Sequence, residues 1–468
     1  MTSKSRNPYS RPPNEVAVFA HVADVDKGND FVPAGLLEDA ASDAPSFTYG
    51  RRYVQRRNAI EIDPAALPLA REQGGKRHFT LPGLKEFGGL RDAAPDAWGR
   101  RVIENKLKVG SGVLPEVAYL LEAGVDRVGA LDIRLALTSP AKAPAARELT
   151  LERLLEAADR IENDEDIGED LAGCFEGLGS AGGARPKASV RDDRGVLWLA
   201  KFPSRSDRVS NAVLEAGTLE LARAAGLCVP PVHIQHVGSA QVLFIRRFDR
   251  YWATPGAVPP IGHDGWLPVP SEQDASVVEG RIGFCSAMTL MGIDEYGARE
   301  SSYQALALKL RERCLPAFIA RDLRELFKRQ ALNIFVNNND DHLRNHAFIY
   351  DLAGGGWRLS PLYDVLPMNT VASERYLHLE LGEQGRLATL DNLMTRWPVY
   401  FSSRREAIGA LHEVWVVTRG WKPYFEQFNA SARDMAHLEG AFRRLGNLAS
   451  PALEKELRAF ESQRAYSP

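Results

Sequence analysis

The chain is poor in cysteine. Cys174, Cys228, Cys285 and Cys314 are its only four in 468 residues, far apart and with no CxxC pair. That excludes a disulfide framework and a zinc knuckle, and it suits a reducing compartment. No run of about 18 apolar residues occurs, so no membrane-spanning helix is expected. Charge of one sign is also scarce: the net value is −3, which gives no global electrostatic case for binding nucleic acid or a membrane surface. The opening MTSKSRNPYSRPPNEVAVFA lacks an apolar core segment, so residues 1–14 read as a disordered tail rather than a signal peptide. A Walker GK[ST] and an HExxH are missing as well. A soluble, cytoplasmic protein is the expectation.

What is present divides the chain into three regions. EVAVFAHV, FTYGRRYV and AIEI, within 15–62, alternate in the manner of strands, and RDAAPDAWGRRVIENKL (91–107) and VAYLLEAG (117–124) read as helices. The Ala/Pro-rich SPAKAPAARE (139–148) suggests a boundary, giving an N-terminal region at 15–145. A β-rich region at 146–270 follows, opened by the helical ELTLERLLEAADRIENDED. In it, ASVRDD and VLWLAKFPS form a hairpin turning on Asp193, Arg194 and Gly195. SNAVLEAGTLELARAAG is a helix capped by Ser210 and closed by Gly226, followed by the strands VPPVHIQHV and QVLFIRRF. Residues 251–280 read as an irregular loop. The remainder, 271–468, is mainly helical, except for two short strands, HAFIY and WRLSPLY, joined through Gly354, Gly355 and Gly356.

The densest polar stretch is NNNDDHLRNHAFIY (337–350), at the end of the long helical run FIARDLRELFKRQALNIFV. Buried polar groups need partners, so such a cluster must be holding something. Asp340 and Asn345 are five residues apart, the spacing between base aspartate and metal-binding asparagine in a protein-kinase catalytic loop. A carboxylate there orients a hydroxyl nucleophile, and an amide oxygen helps hold Mg²⁺ on the phosphates. Asp364, in LSPLYDVLP, follows the second short strand and supplies a second carboxylate for a hard cation. Taken alone, Asp364 is an ordinary turn residue and Asp340 an ordinary loop residue. Together, with a hairpin between them, they read as a metal-and-base set.

The same chemistry demands a cation on the nucleotide phosphates. Lys201 ends the apolar strand VLWLA and Glu215 lies on the next helix, the arrangement kinases use for the α/β-phosphates. A lone lysine at a strand end is ordinarily solvated; the glutamate makes the difference. GLGSAGGARPKASV (177–190) precedes that strand, and its glycines would let backbone amides approach phosphates, with Lys187 adding charge. A flexible linker is the plainer reading of that composition. His342 and His346 are four apart, but HLRNH is not a zinc motif. His342 as a group that orients the base or braces the loop is the better reading.

These stretches together resemble the HipA family, the serine/threonine kinase toxins of bacterial toxin–antitoxin pairs. The resemblance runs from about residue 15 to 440 and rests on NDDHLRNHAF…WRLSPLYDVLP, GSAGGARPKASV, LAKFP, GLCVPPVHI and FIRRFDR. It implies an α+β, protein-kinase-like fold with a small N-terminal α/β subdomain, a β-rich nucleotide lobe and a helical catalytic lobe. The family motif D-x-H-x-x-N selects Asp340, His342 and Asn345. On that resemblance Asp340 is the base, assisted by His342, and Asn345 and Asp364 hold Mg²⁺. ATP would meet Gly182, Gly183, Ala184, Arg185, Lys187, Lys201, Glu215, His342, Asn345 and Tyr363, with its adenine at a hinge formed by Arg246, Arg247 and Phe248. Ser180 matches the serine that family members autophosphorylate. A phosphate there, carrying up to about two negative charges, would repel ATP and eject the loop.

The implied partners are a small dimeric HipB-like helix-turn-helix antitoxin, operator DNA through that complex, and a protein substrate in translation, with glutamyl-tRNA synthetase first among aminoacyl-tRNA synthetases. Arg246 stands where the family is often acidic, GARPK differs from the common GAQ spelling, and 281–307 looks like a variant branch. Two other readings remain open: a catalytically silent corepressor that only binds the antitoxin, and a small-molecule or lipid kinase.

Overall fold

The computed structural model describes residues 7–24, 28–142, 150–165, 167, 185–258 and 276–465. Strands β1 (Glu15–Asp24), β2 (Gly28–Glu38), β3 (Ser46–Tyr49), β4 (Arg77–Phe79) and β5 (Leu131–Arg134) form an antiparallel sheet in the order β4-β3-β2-β1-β5. Alternation turns Val16, Val18 and Ala20 of β1 into the core beside Phe47, Tyr49 and Ile133. The sequence reading missed β2, because Pro33 and Gly35 break its strand pattern. Pro33 sits opposite Phe19, at a bulge where the ladder is already interrupted. A Cβ on Gly35 would run into the Phe47 ring, so only glycine fits between these strands.

Two expected elements differ. AIEI is no strand: Ile60 N–H donates to Tyr53 Oη at 3.0 Å and Ile62 N–H to Tyr49 Oη at 3.3 Å, so tyrosine hydroxyls replace a neighbouring chain. Past Tyr49, the expected strand FTYGRRYV turns into helix α1 (Arg51–Val54). The single helix expected over 91–107 is two, α2 (Gly88–Ala93) and α3 (Ala97–Leu107), parted at Pro95. Asp96 caps the second, accepting from Gly99 N–H at 2.8 Å. Helix α4 (Glu116–Glu122) completes this region.

The second sheet has the order β6-β7-β9-β8, from β6 (Lys187–Arg191), β7 (Leu197–Lys201), β8 (Val232–Val237) and β9 (Ala240–Arg246). Gly195, at φ 78°, makes the β6–β7 turn. Helix α5 (Leu151–Glu162), capped by Thr150, buries Leu154, Ala157, Ala158 and Ile161 against Ala188, Ala200, Val242 and Phe244 on one face of this sheet. Trp98 and Val102 of α3 enter the same cluster, so the first region packs directly on the second. Helix α6 (Asn211–Ala224) covers the sheet through Ala216 and Leu219, which share a core with Leu243 and Ile245; it is capped by Ser210 and ends at Gly226, φ 72°.

The stretch read as a loop over 251–280 has strands at both described ends, β10 (Arg250–Ala253) pairing with β11 (Val278–Arg281). A third sheet, β12 (Phe284–Ser286), β13 (Ala347–Asp351) and β14 (Gly356–Leu359), contains the two strands expected there and one, β12, that is too short to read from sequence. Helices α7 (Ala287–Met291), α8 (Glu295–Arg299), α9 (Tyr303–Arg313), α10 (Ile319–Val336), α11 (Leu390–Met394), α12 (Arg404–Thr418), α13 (Lys422–Glu426), α14 (Ala432–Ala441) and α15 (Pro451–Ala465) make up the rest. The architecture is α+β. Among the described residues no helix is long and apolar enough to cross a membrane.

Candidate active site

The polar stretch after α10 divides into two sets. Asn337 ends the helix in the left-handed region, φ 54°, and its amide donates to Met368 O. Asn338 donates to Asn333 Oδ1 at 3.0 Å. Asp341 is buried and accepts from Tyr303 Oη and from His378 N–H, the latter at 2.6 Å. Burial pushes its carboxyl up to about 6 against those hydrogen bonds. His346 is buried edge-on to Tyr303, and desolvation, with Arg329 and His342 nearby, holds its ring down at about 3. These four residues hold the loop itself.

The other set faces outward. The Asp340 side chain is 71% exposed, with His342 Nε2 3.7 Å from its Oδ1. Asn345 Nδ2 donates to Asp340 O at 2.7 Å, which fixes the amide and leaves its Oδ1 as an acceptor on the other side. Asp340, His342 and Asn345 thus share one short loop between α10 and β13.

Lys201 joins two regions. Its Nζ donates to Glu215 Oε1 and Oε2 at 2.7 and 2.9 Å and to Asp364 Oδ1 at 2.8 Å. Burial opposes the ammonium, but the two carboxylates outweigh it and raise Lys201 above the ordinary lysine range. Burial also opposes Asp364, whose carboxyl Lys201 nevertheless holds below its usual value, with Lys187 and His342 contributing. For Glu215, burial wins and raises it. Asp364 sits at φ 58°, a left-handed position that aspartate tolerates better than most residues.

Around Asp364 opens a cleft of ≈ 880 Å³, its mouth included. Leu199, Lys201 and Ile245 line it from the β-rich region, Tyr363, Asp364 and Arg344 from the helical region, and Arg91, Asp92 and Asp96 from the N-terminal region. Phe248 and Tyr363 face each other across it, ring centroids 5.8 Å apart, with Tyr363 Oη donating to Arg344 O at 2.7 Å. The amides of Arg246 and Arg247 are engaged by Pro231 O and Leu197 O at 2.9 and 3.0 Å, so neither is offered to a ligand.

Two expected ATP-site residues are committed elsewhere. Arg185 pairs with Asp207, and Lys187 is buried on Asp96 at 2.7 Å, so neither lines the cleft; Glu215, His342 and Asn345 are not among its lining residues either. Ser180, Gly182, Gly183 and Ala184 lie outside the described residues. In sequence, Gly177, Gly179 and Gly182 fall at G-x-G-x-x-G spacing, a phosphate-loop signal that the linker reading overlooks. Asp96 and Asp92 were not foreseen at all. Pro95-Asp96 before an apolar run marks a helix cap, but nothing in the spelling announces a lysine 91 residues away.

Among the described residues no group of three or more His, Cys, Asp or Glu side chains could hold a metal ion. The donor set does suit Mg²⁺, which typically takes one or two protein carboxylates and completes its shell with phosphates and water. Lys187, Lys201, Asp96, Glu215 and Asp364 form one ion-paired group of three carboxylates and two ammoniums, with Lys187, Asp96 and Glu215 buried.

The chain is similar to several known proteins. The chain is 26% identical over 196 residues to Y4mE of Sinorhizobium fredii (strain NBRC 101917 / NGR234), named as a candidate kinase; the match covers 41% of this chain and 40% of the relative's length. HipA of Shewanella oneidensis MR-1, solved in a toxin–antitoxin complex with HipB and operator DNA, superposes with a TM-score of 0.60 over 92% of this chain and 95% of that one, at 17% identity. The fold is therefore that of HipA, kinase-like and α+β. Residues 179–421, the span that contains Lys201, Glu215, Asp340, Asn345 and Asp364, match the HipA-like C-terminal domain, and the chain belongs to that family.

Proposed function

We propose that this chain is an ATP- and Mg²⁺-dependent serine/threonine protein kinase and the toxin of a toxin–antitoxin pair. The observation that carries the reading is Lys201, held at once by Glu215 on α6 and by Asp364 from the helical region, in a cleft that Lys201 and Asp364 both line. A lysine–glutamate pair and a metal aspartate assembled by one ammonium is what phosphoryl transfer needs.

Lys201 would bind the α/β-phosphates. Asp364 and the Asn345 amide oxygen would hold Mg²⁺, which supplies neutralisation of phosphate charge. Phe248 and Tyr363, with Leu199 and Ile245, offer apolar walls to the adenine. Its polar edge would meet the backbone near Phe248, beyond the two engaged amides. Asp340 would take the proton of the acceptor hydroxyl as its oxygen bonds to the γ-phosphorus and the bond to the β-bridging oxygen breaks, releasing ADP. Its exposure suits an acceptor on a macromolecule, which brings its own shielding from water. Catalysis then rests on positioning and electrostatics.

The resemblance to HipA extends the proposal to a HipB-like antitoxin dimer as partner, to operator DNA through that complex, and to a translation protein such as an aminoacyl-tRNA synthetase as substrate. Self-silencing would follow phosphorylation of Ser180. The test is peptide mass spectrometry of purified protein after Mg²⁺-ATP, beside Asp364→Ala. A phosphate on Ser180 of the wild type alone is the expected result. No phosphate and no ATP binding would sink the kinase reading and favour a silent, antitoxin-binding corepressor.

A further inference from the structure

Lys187 and Lys201 are register partners in the β6–β7 hairpin, so the two ammoniums stand side by side on one face of the sheet. Like charges opposite one another are unfavourable unless each has its own counter-ion. Lys201 has Glu215 and Asp364. Lys187 has Asp96, brought from the N-terminal region, at 2.7 Å and with side chains only 3% and 7% exposed. Asp96 divides its oxygens: Oδ1 accepts from Gly99 N–H and caps α3, while Oδ2 takes Lys187. Trp98, in the first turn of the same helix, donates its indole N–H to Lys187 O at 3.0 Å. One helix start therefore grips Lys187 by side chain and backbone. Asp364 lies within the electrostatic reach of Lys187, and it is the other carboxylate that a loosened ammonium would meet.

We infer that Asp96 is a positioning residue of the nucleotide site: by holding Lys187, it leaves Asp364 to answer to Lys201 and to a divalent cation. The inference rests on the kinase reading and adds to it a residue outside the catalytic domain.

Asp96→Asn separates the two tasks, since asparagine caps a helix about as well as aspartate but carries no charge. The readout is Mg²⁺ titration of a fluorescent ATP analogue binding to the full chain, with a thermal melt of each protein. In Asp96→Asn, Lys187 turns to Asp364 and the half-saturating Mg²⁺ concentration rises by about tenfold, the usual scale for losing a group that orients a metal ligand. In the double variant Asp96→Asn/Lys187→Gln, which leaves neither charge buried alone, that concentration returns to the wild-type value. Should the single variant fail to fold, the double variant still decides: a wild-type half-point supports the inference and a raised one overturns it. An unchanged half-point in a folded Asp96→Asn overturns it as well. Absence of Mg²⁺-dependent binding in the wild type is a separate outcome and brings down the nucleotide reading itself.

Discussion

The cluster around Lys201 and the loop that carries Asp340 solve the same problem, polar side chains in a folded chain, in opposite ways. Around Lys201, five charged groups from three regions are drawn together and pair over sequence distances of 14, 91 and 163 residues. In the loop after α10, Asp340 stays exposed, and order comes from its neighbours: Asn337, Asn338, Asp341 and His346 hold the loop to the body while Asp340 faces solvent. The first arrangement suits a small, highly charged ligand that must shed its water. The second suits a large acceptor that arrives from solution.

The largest break should come from the buried side. Lys201→Ala leaves Glu215 and Asp364 close together without their cation, so phosphoryl transfer should fall by about 10³-fold or more and nucleotide binding should weaken with it. Single-turnover transfer and a binding titration check both. On the exposed side, Asp340→Asn should reduce transfer by roughly 10² to 10⁴-fold and leave MgATP affinity and melting temperature close to wild type. If Asp340→Asn weakened nucleotide binding as much as Lys201→Ala, the division between the two sides would be wrong.

The loop braces sharpen the contrast through pH. Asp341, whose ordinary value is 3.8, has its folded value raised to about 6 by burial. Its stabilising contribution is present below the unfolded value and is lost as pH rises through about 6. His346 runs the other way, held down at about 3 from 6.5, so its contribution is present above 6.5 and is lost as pH falls. Comparing wild type with Asp341→Asn by urea denaturation between pH 4 and 7, the stability difference should shrink by roughly 2 to 3 kcal/mol as pH rises. A difference that is flat with pH would mean that Asp341 is not buried as described. The smallest effect belongs to the hairpin: Gly195→Ala, at φ 78°, should lower stability by about 1 kcal/mol, with the Mg²⁺ dependence unmoved.

How far the sequence reaches follows the same line. Local chemistry was legible: the β6–β7 turn on Gly195, the Ser210 cap, the Gly226 stop, and the long helix that ends at Asn337. The Lys201–Glu215 pair was legible too, because a strand lysine and a glutamate on the next helix form a known pattern. Less legible were contacts that no short window contains. Tyr49 and Tyr53 stand in for a strand partner of 60–62, Pro33 hides in a bulge, and Asp96 reaches Lys187. Within NNNDDHLRNH, the spelling could not say which of the adjacent Asp340 and Asp341 is buried. Burial depends on Tyr303 and His378, which come from elsewhere in the chain.

The ties between the N-terminal region and the helical region have a consequence for how the molecule comes apart. Asp92 accepts from Ser286 N–H and Oγ at 2.6 and 2.9 Å, and Glu61 from Trp357 Nε1 at 2.8 Å. Each leaves a buried donor without a partner if the N-terminal region lifts away, a loss of about 1 to 3 kcal/mol apiece. A chain of this size ordinarily unfolds in stages, region by region. Here the N-terminal sheet and the helical region should melt as one cooperative unit, and a protease acting on the native protein should find no way to release the first without unravelling the second.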